Sequence, residues 1–398
     1  MPWRAMEVGE QRVRFVIRAS QEPGNLAKVC REFGISRPTG YLWLRRYQAQ
    51  GVHGLCEQSR RPRQVPERTA PAVEQQIVEL RRQRPDWGAR KLQVLLRRWG
   101  MELPVVTIHR VLVRRGMVRE QDRHRPALQR FERAEPNQLW QMDFKSPKGW
   151  NHAIGPLSVL DDCSRYAVLL QGTWSTRGEA VREQLESAFQ KHGMPEEMLM
   201  DHGIPWWSGQ GSRGWTRLTV WLMKLGVGLR FSGVRHPQTQ GKVERFHGTL
   251  EQARRRRGLP VAELHQQWLD EFREEYNQVR PHEALGMKTP ASVWSPSPRR
   301  YDPNPPSWEY GSDREVQRLG PYGQLKLAGR WWQVCEALAG EAVQLERVPG
   351  RVLVYYCQTL VREIDLVESS STAFPPSLRS GGNAVELEKC KGCGDNDL

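Results

Sequence analysis

The sequence predicts a multidomain α+β protein, with all-α units first, an α/β unit with a mixed sheet next and a small β-barrel-like domain last. The chain has 398 residues, more than one ordinary domain holds. Its net charge of +15 lies in residues 1–134, which hold 28 Lys and Arg against 13 Asp and Glu. Residues 135–398 hold 32 of each, and strand-like runs begin only at residue 138.

The segment 9–53 predicts three short helices in a helix-turn-helix arrangement. Gly34 separates an amphipathic stripe from a third helix, which Ser36 can cap. Helix, glycine turn and polar-faced helix together are typical of a DNA-binding domain. The alternative is a generic three-helix bundle, since bundles with glycine-containing turns are common.

A second helix-turn-helix-like domain is predicted at 71–118, because two apolar stripes precede a short helix with basic residues on its outer side. Proline and charge mark 54–70 as a basic extended linker, which can follow phosphates or act as a solvated spacer. Residues 119–136 are likewise charged and contain prolines, which predicts a second linker.

The middle of the chain alternates strand-like and helix-like segments. Strands are predicted at 138–144, 155–161, 166–171, 196–200 and 228–232. Helices are predicted at 176–192, 215–226, 242–257 and 262–277. Three strands, a helix and then alternating elements indicate a mixed sheet with helices packed on it.

A proline-rich boundary at 295–310 precedes the last ordered domain. Alternating apolar residues punctuated by glycines predict a small β-rich, barrel-like domain at 312–366. Residues 367–398 are rich in Ser, Gly and Pro and predict a disordered tail.

Three acidic residues stand at the ends of predicted elements. Asp143 and Asp201 end apolar runs, and Glu244 lies in the first turn of a predicted helix. Carboxylate oxygens are the ligands that Mg²⁺ prefers, and two such ions can support an in-line displacement at phosphorus. Each acid alone has a simpler explanation, as a turn former or as a partner of the helix dipole.

Asp161 and Asp162 compete for the same metal role. They join two neighbouring strand-like runs, so we expect a hairpin turn with an ion pair to Arg165. On that interpretation neither residue is part of the metal site.

Several stretches resemble bacterial insertion-sequence transposases of the DDE type, whose catalytic core is like that of retroviral integrases. The resemblance covers roughly residues 9–366. The matching stretches are WQMD at 140–143, DDCSRY at 161–166, DHG at 201–203, HPQTQGKVER at 236–245, YN at 276–277, RPHEAL at 280–285 and TP at 289–290.

The resemblance implies a ribonuclease-H-like integrase catalytic core at 137–294. It implies that Asp143, Asp201 and Glu244 are catalytic and hold two Mg²⁺ ions, for which Mn²⁺ can substitute. Water would hydrolyse a phosphodiester at the element's end, and the freed 3′-hydroxyl would attack target DNA directly. No covalent protein intermediate is implied.

The sequence departs from the family pattern at two places. His202 follows the second aspartate, where the family commonly has Asn, and this puts local geometry in doubt more than activity. The spacing from Asp201 to Glu244 is longer than in retroviral integrases. The glycine-containing stretch at 206–215 accounts for this difference and predicts a surface loop.

Double-stranded DNA, both element ends and target, is the expected partner. Sequence is read in DNA grooves, which favours the helical units, while basic residues near Glu244 can contact phosphate. For the helix at 242–257 the alternative is a solvated face with internal ion pairs. The predicted DNA contacts are Arg45, Arg46, Arg110, Arg114, Lys242, Arg245, His247 and Arg255.

Two element ends must be cut together, so the family resemblance implies a homo-oligomer, at least a dimer. Seven scattered cysteines favour a reducing compartment. Neither a transmembrane run nor a signal peptide is visible, so we expect a bacterial cytoplasmic protein without a membrane partner, associated with the nucleoid when bound to DNA.

Two other functions remain open at this point. A sequence-specific DNA-binding regulator, derived from a catalytically silent transposase, would need only the helix-turn-helix units. A metal-dependent nuclease would cut without joining. The complete set of three acids favours the transposase over the regulator, and only the reaction products separate it from the nuclease.

Overall fold

The computed structural model describes residues 8–22, 24–57, 69–118, 132–146, 150, 155–173, 175–208, 214–232 and 241–374. It divides into two compact units, Met1–Ala70 and Pro71–Leu398. The predicted disordered tail beyond 374, most of both predicted linkers and the stretch at 236–240 lie outside the described residues.

The first unit contains the three predicted helices, α1 (Val8–Gln21), α2 (Leu26–Glu32) and α3 (Arg37–Gln50). Ser36 caps α3, because its hydroxyl accepts a hydrogen bond from the Thr39 amide at 3.4 Å. A side chain at Gly40 would lie 2.5 Å from Cys30 Sγ, so glycine lets α3 approach α2 closely. The core consists of Phe15, Val16, Val29, Cys30 and Leu55.

The second unit begins with α4 (Pro71–Gln83), α5 (Ala89–Arg98) and α6 (Val105–Arg114). These helices confirm the predicted helical segment and enclose a small core of their own. Its buried residues are Ile77, Leu80, Trp87, Leu92, Leu95, Leu96, Ile108, Val111 and Leu112.

Ion pairs join this helical segment to later parts of the same unit. Asp86 lies 2.6 Å from both Arg256 and Arg280, and the Arg280 guanidinium lies 5.7 Å from the centre of the Trp87 ring. The pKa of Asp86 is lowered, because the charges of Arg280 and Arg256 outweigh the opposing effect of burial. The RPHEAL stretch therefore contributes to domain packing.

A five-stranded mixed sheet forms the centre of the second unit, in the order β3-β2-β1-β4-β7. The strands β1, β2 and β3 are antiparallel, whereas β4 and β7 run parallel to β1. Their bounds are β1 (Leu139–Phe144), β2 (Leu157–Asp161), β3 (Ala167–Gln171), β4 (Glu197–Met200) and β7 (Gly228–Phe231), and between the last two lie β5 (Trp207–Ser208) and β6 (Gly214–Trp215). The mixed sheet confirms the prediction for the core.

Helices cover both faces of this sheet because alternate strand residues point to opposite sides. One face packs against α7 (Gly178–His192) and α8 (Arg217–Lys224). The other packs against α9 (Gly241–Arg257) and α10 (His265–Glu274), and a π-helical turn at Glu275–Val279 follows. Neighbouring residues of β2 show the alternation, since Val159 packs with the first pair and Leu160 with the second.

The C-terminal region is β-rich, but the predicted barrel-like closure is wrong. Five strands form an open antiparallel sheet whose edges are β14 and β8, and β9 and β10 form a separate hairpin. Alternation in a sequence predicts strands, but it does not determine whether edge strands pair. The bounds are β8 (Glu315–Arg318), β9 (Gln324–Leu327), β10 (Arg330–Gln333), β11 (Ala342–Val348), β12 (Arg351–Tyr356), β13 (Thr359–Asp365) and β14 (Ser370–Ala373). Because β14 follows residue 366, the ordered region is longer than predicted.

The stretch at 206–215 is also more than a surface loop at its described ends. Trp206 and Trp215 are fully buried, and β5 pairs with β6. The Trp215 indole donates a hydrogen bond to the Val361 carbonyl at 3.0 Å. This segment therefore joins the central sheet to the C-terminal sheet in one hydrophobic core.

Candidate active site

The fold brings the two predicted aspartates to the same edge of the central sheet. Asp143 lies near the end of β1, and Asp201 follows the last residue of β4. These strands are adjacent and parallel, with Gln141 opposite Leu199. Continuing this register by two residues places Asp143 beside Asp201.

Glu244 comes to this edge from a helix. It lies in the first turn of α9 and is exposed, while α9 packs against β1 and β2 through the opposite side. Val243 and Phe246, which flank Glu244, are fully buried. The helix therefore directs one carboxylate outward, above the strand end that carries Asp143.

The negative charges at this edge act on the pKa of Asp143. Burial raises that pKa to about 7, and the charges of Asp201 and, more weakly, Glu244 contribute to the increase. Asp201 and Glu244 are therefore both within electrostatic reach of Asp143. Within the ranges that the structure describes, no three acidic, histidine or cysteine side chains are grouped so as to hold a metal ion. The metal-ligand set stays a prediction.

The raised pKa of Asp143 predicts a pH effect on stability in metal-free buffer. The ordinary value is 3.8 and the folded value about 7, so the stabilisation is complete below the lower value and is lost as pH rises through the higher one. We expect the Tm of the wild-type protein to fall relative to that of Asp143→Asn between about pH 4 and about pH 7. Thermal unfolding followed by circular dichroism in chelator measures this, and a Tm difference independent of pH would contradict it.

Aromatic side chains line the interior beneath the aspartates. Phe144 stacks on Trp206 at 5.4 Å, and the His202 ring packs against Phe231 at 5.2 Å and Trp207 at 5.7 Å. His202, the departure from the family pattern, is thus part of this aromatic layer. The sequence did not reveal the layer, because its members come from three separate segments.

Gly203 fits closely beside Asp201. Its amide donates a hydrogen bond to Asp201 Oδ1 at 2.9 Å, and a side chain at this position would lie 3.0 Å from both carboxylate oxygens. The glycine therefore leaves the carboxylate room while holding its orientation.

His247 lies inside the site and does not face solvent. Its side chain bonds Ser158 Oγ through Nε2 at 3.0 Å, and Nδ1 lies 3.8 Å from Asp143 Oδ2. Burial lowers the pKa of His247 to about 3, so its ring is neutral at pH 7. With 7% of its surface exposed, His247 does not fit the predicted DNA contact. The helix turns this residue toward Ser158 on β2. Ser158 lies opposite Asp143 in the β1–β2 register.

Four models of known protein families match segments of this chain. Residues 133–237 and 225–290 match the integrase core domain. Residues 11–63 match a helix-turn-helix domain, and residues 39–112 match a homeodomain-like domain. The chain thus contains segments similar to helix-turn-helix domains and to an integrase core. These matches confirm the predicted resemblance to integrase cores.

Two relatives belong to bacterial insertion elements. An uncharacterized 31.7 kDa protein of insertion element IS407 from Burkholderia multivorans is 25% identical over 223 residues, which cover 54% of this chain and 78% of the relative. An uncharacterized 39.2 kDa protein of insertion element IS476 from Xanthomonas euvesicatoria is 25% identical over 270 residues, which cover 65% of this chain and 74% of the relative.

Solved structures of retroviral integrases also match the integrase core. The HTLV-2 integrase catalytic core domain in complex with magnesium is 15% identical and covers 40% of this chain and 97% of its own, with a TM-score of 0.31. A chain of the simian T-cell lymphotropic virus intasome is 16% identical and covers 71% of this chain and 92% of its own, with a TM-score of 0.35.

The hairpin beside the integrase core site differs from its prediction in one contact. Asp161 ends β2 and Asp162 begins the predicted turn to β3, but Arg165 pairs with Glu132 at 2.8 Å instead of with either aspartate. Asp162 pairs with Lys242 at 2.6 Å, so the Lys242 ammonium faces the interior and does not fit the predicted DNA contact. The sequence predicted that Lys242 lies on the helix. It did not predict which side of the helix packs against the sheet.

The other predicted DNA contacts vary in their availability. Arg45, Arg110 and Arg245 are exposed. Arg46 lies 5.0 Å from the centre of the Trp43 ring. Arg114 pairs with the buried Glu74 at 2.8 Å, and Arg255 pairs with Glu251 at 2.9 Å. These six contacts stay predictions.

None of the helices in the described ranges has the length and apolar character that crossing a membrane requires.

Proposed function

We propose that this protein is a transposase that binds the ends of its mobile element and catalyses metal-dependent DNA cleavage and strand transfer. The observation that carries the proposal is the electrostatic coupling of Asp143 to Asp201 and Glu244 at one edge of an integrase core. The helix-turn-helix domains of the same chain supply a reason for DNA to be the substrate.

The three carboxylates fit a divalent cation by their chemistry. All are hard oxygen donors, and the charges of Asp201 and Glu244 act together with burial to raise the pKa of Asp143. We propose that Asp143, Asp201 and Glu244 hold Mg²⁺, with two ions in the complete site and Mn²⁺ as a substitute. When bound, the ions would neutralise charge on the reacting phosphate and its attacking and leaving oxygens.

Two consecutive displacements at phosphorus account for the reaction. In the first, a water oxygen bonds to phosphorus at the element's end and the bond to the 3′-oxygen breaks, leaving a 3′-hydroxyl. In the second, that 3′-oxygen bonds to a target phosphorus, and a target strand bond breaks. The first step is a hydrolysis that converts one phosphodiester into a 5′-phosphate and a 3′-hydroxyl. The second step exchanges one phosphodiester P–O bond for another, and the proton of the attacking hydroxyl passes to the released target 3′-oxygen. Strand joining therefore needs no external energy source and no covalent protein intermediate.

The chain's own residues contribute position and charge. The Gly203 amide fixes the Asp201 carboxylate, and the neutral His247 ring adds no positive charge beside Asp143. Arg245, next to Glu244, is exposed, and we propose that it contacts a DNA phosphate. The basic N-terminal third would hold the DNA, since the rest of the chain has no net charge excess.

We further propose that the protein acts in the cytoplasm as a homo-oligomer, at least a dimer, on double-stranded DNA. Two element ends must be joined to one target in a coordinated reaction, which one active site cannot do at both ends simultaneously. Exposed Arg45 on α3 and Arg110 on α6 are our leading residues for contacts within the DNA grooves.

A product assay tests the function. The protein is incubated with Mg²⁺, a labelled DNA fragment bearing the element's ends and a plasmid target. We expect labelled strands joined to the plasmid. Hydrolysed ends without joined strands would show a nuclease, and binding without any cleavage would support the DNA-binding regulator; either outcome would contradict the proposal.

A further inference from the structure

We propose that the buried Gln141 and Asp162 and the partly buried Lys242 form a positioning network that fixes the first turn of α9, and with it Glu244, relative to Asp143. This inference deepens the proposed function and rests on it for the role of Glu244. Nothing in the family resemblance assigned this role to the three residues. Lys242 was expected to contact DNA, and Asp162 was expected to pair with Arg165.

Asp162 is the centre of the network. Its side chain has no solvent-exposed surface, yet both carboxylate oxygens are satisfied. Oδ1 accepts hydrogen bonds from Lys242 Nζ at 2.6 Å and from Gln141 Nε2 at 2.7 Å, and Oδ2 accepts one from the Arg133 amide at 2.8 Å. Lys242 Nζ also donates to the Asp162 carbonyl at 3.0 Å. The lysine is therefore held by two oxygens of a single residue.

Gln141 carries the network from the strand to the helix. While its amide nitrogen donates to Asp162, its Oε1 accepts a hydrogen bond from the Val243 amide at 3.3 Å. Amides in the first turn of a helix have no partner within the helix, so this bond satisfies one of them and fixes the helix end.

The positions along the chain explain what the network controls. Gln141 lies two residues before Asp143 on β1, and Lys242 lies two residues before Glu244 on α9. Side chains two apart on a strand point to the same face, so Gln141 shares its orientation with Asp143. The network thus runs from the strand of one catalytic acid to the helix turn of another, through the hairpin at Asp162.

Stability alone gives a weak reason for burying this ion pair. Removing two charges from water costs much of what their attraction returns, so a buried pair contributes little net stability over an apolar pair. What the pair does provide is a directional contact, since Lys242 can satisfy the Asp162 carboxylate in only a narrow range of helix positions. Partners that orient metal ligands in this way affect metal affinity without contacting the metal.

Hydrogen–deuterium exchange tests the positional claim without any catalytic readout. We expect Lys242→Met to increase exchange in a peptide covering the first turn of α9, because the turn loses its contact with Asp162 and the bond from the Val243 amide to Gln141 is less firmly held. The matched control is Lys224→Met, which removes another lysine paired at 2.6 Å, with Glu341, on the surface of α8. Lys242→Arg should restore part of the protection. Equal exchange in Lys242→Met and the wild-type protein would overturn the inference.

Metal titration of the cleavage reaction provides the second readout. We expect Lys242→Met to raise the Mg²⁺ concentration for half-maximal cleavage about 10- to 100-fold, with DNA affinity unchanged. Lys242→Met alone leaves the buried Asp162 carboxylate without this cation, which should lower Tm. The double variant Lys242→Met/Asp162→Asn leaves no unpaired buried charge. Its Tm should return toward that of the wild-type protein, but its Mg²⁺ requirement should stay raised.

The outcomes separate the inference from the proposed function. Wild-type Mg²⁺ dependence in the folded double variant would overturn the positioning role while leaving the transposase intact. A wild-type protein that binds element ends but never cleaves them would contradict the proposed function instead. In that case the exchange experiment still decides whether the network fixes the helix turn.

Discussion

Glu244→Gln is expected to reduce strand transfer by roughly 10³-fold or more, the scale on which loss of one member of a tightly coupled catalytic group acts. The substitution keeps the size of the side chain and removes its negative charge. Because Glu244 is exposed in the first turn of α9, folding should be little affected. Joined and cleaved products are quantified on denaturing gels at saturating Mg²⁺, and DNA affinity is measured in parallel.

Glu179→Gln is the matched control for this experiment. Glu179 is also an exposed glutamate in the first turn of a helix, α7, so both variants lose the same favourable interaction with a helix dipole. We expect the control to retain wild-type activity. Similar losses in both variants would assign the effect to helix stability, and full activity in Glu244→Gln would remove Glu244 from the catalytic set.

Trp215→Ala should lower the free energy of unfolding by about 3–5 kcal/mol, the usual cost of truncating a buried aromatic residue. Trp215 is fully buried, packs against Trp207 and Phe231, and donates a hydrogen bond to the Val361 carbonyl. The substitution leaves a cavity and removes one of the hydrogen bonds to the Val361 carbonyl where the central and C-terminal sheets meet. Urea unfolding followed by far-ultraviolet circular dichroism measures the loss.

Trp331→Ala is the corresponding surface control. Trp331 lies on β10 and is 63% exposed, so its removal should change the free energy of unfolding by less than about 0.5 kcal/mol. Equal destabilisation by the two substitutions would contradict the role of Trp215 as the link between the sheets.

Local patterns were sufficient to predict most elements. The strands of the central sheet and the helices on its faces follow from apolar periodicity, which depends only on neighbouring residues. The stretch around Glu244 forms a helix from Gly241, as its sequence indicates. The positions of Asp143 and Asp201 at strand ends were equally visible, since each ends an apolar run.

Contacts between distant residues could not be predicted in the same way. Lys242 and Asp162 are 80 residues apart, and helical periodicity does not identify which charged side chain turns inward to meet a buried partner. His247 illustrates the same limit, because a histidine on a polar helix resembles a DNA contact until its packing against Ser158 is known. The open C-terminal sheet also depends on edge pairing, which alternation does not specify.

The measurement that tests the central claim most directly compares the wild-type protein with Asp143→Asn in one strand-transfer reaction. Both receive Mg²⁺, labelled element ends and a plasmid target, and DNA binding is measured for each. We predict joined product from the wild-type protein alone, with equal DNA binding by both. Equal joined product from both proteins, or none from a wild-type protein that binds the ends, would contradict the assignment of a transposase active site to this edge of the integrase core.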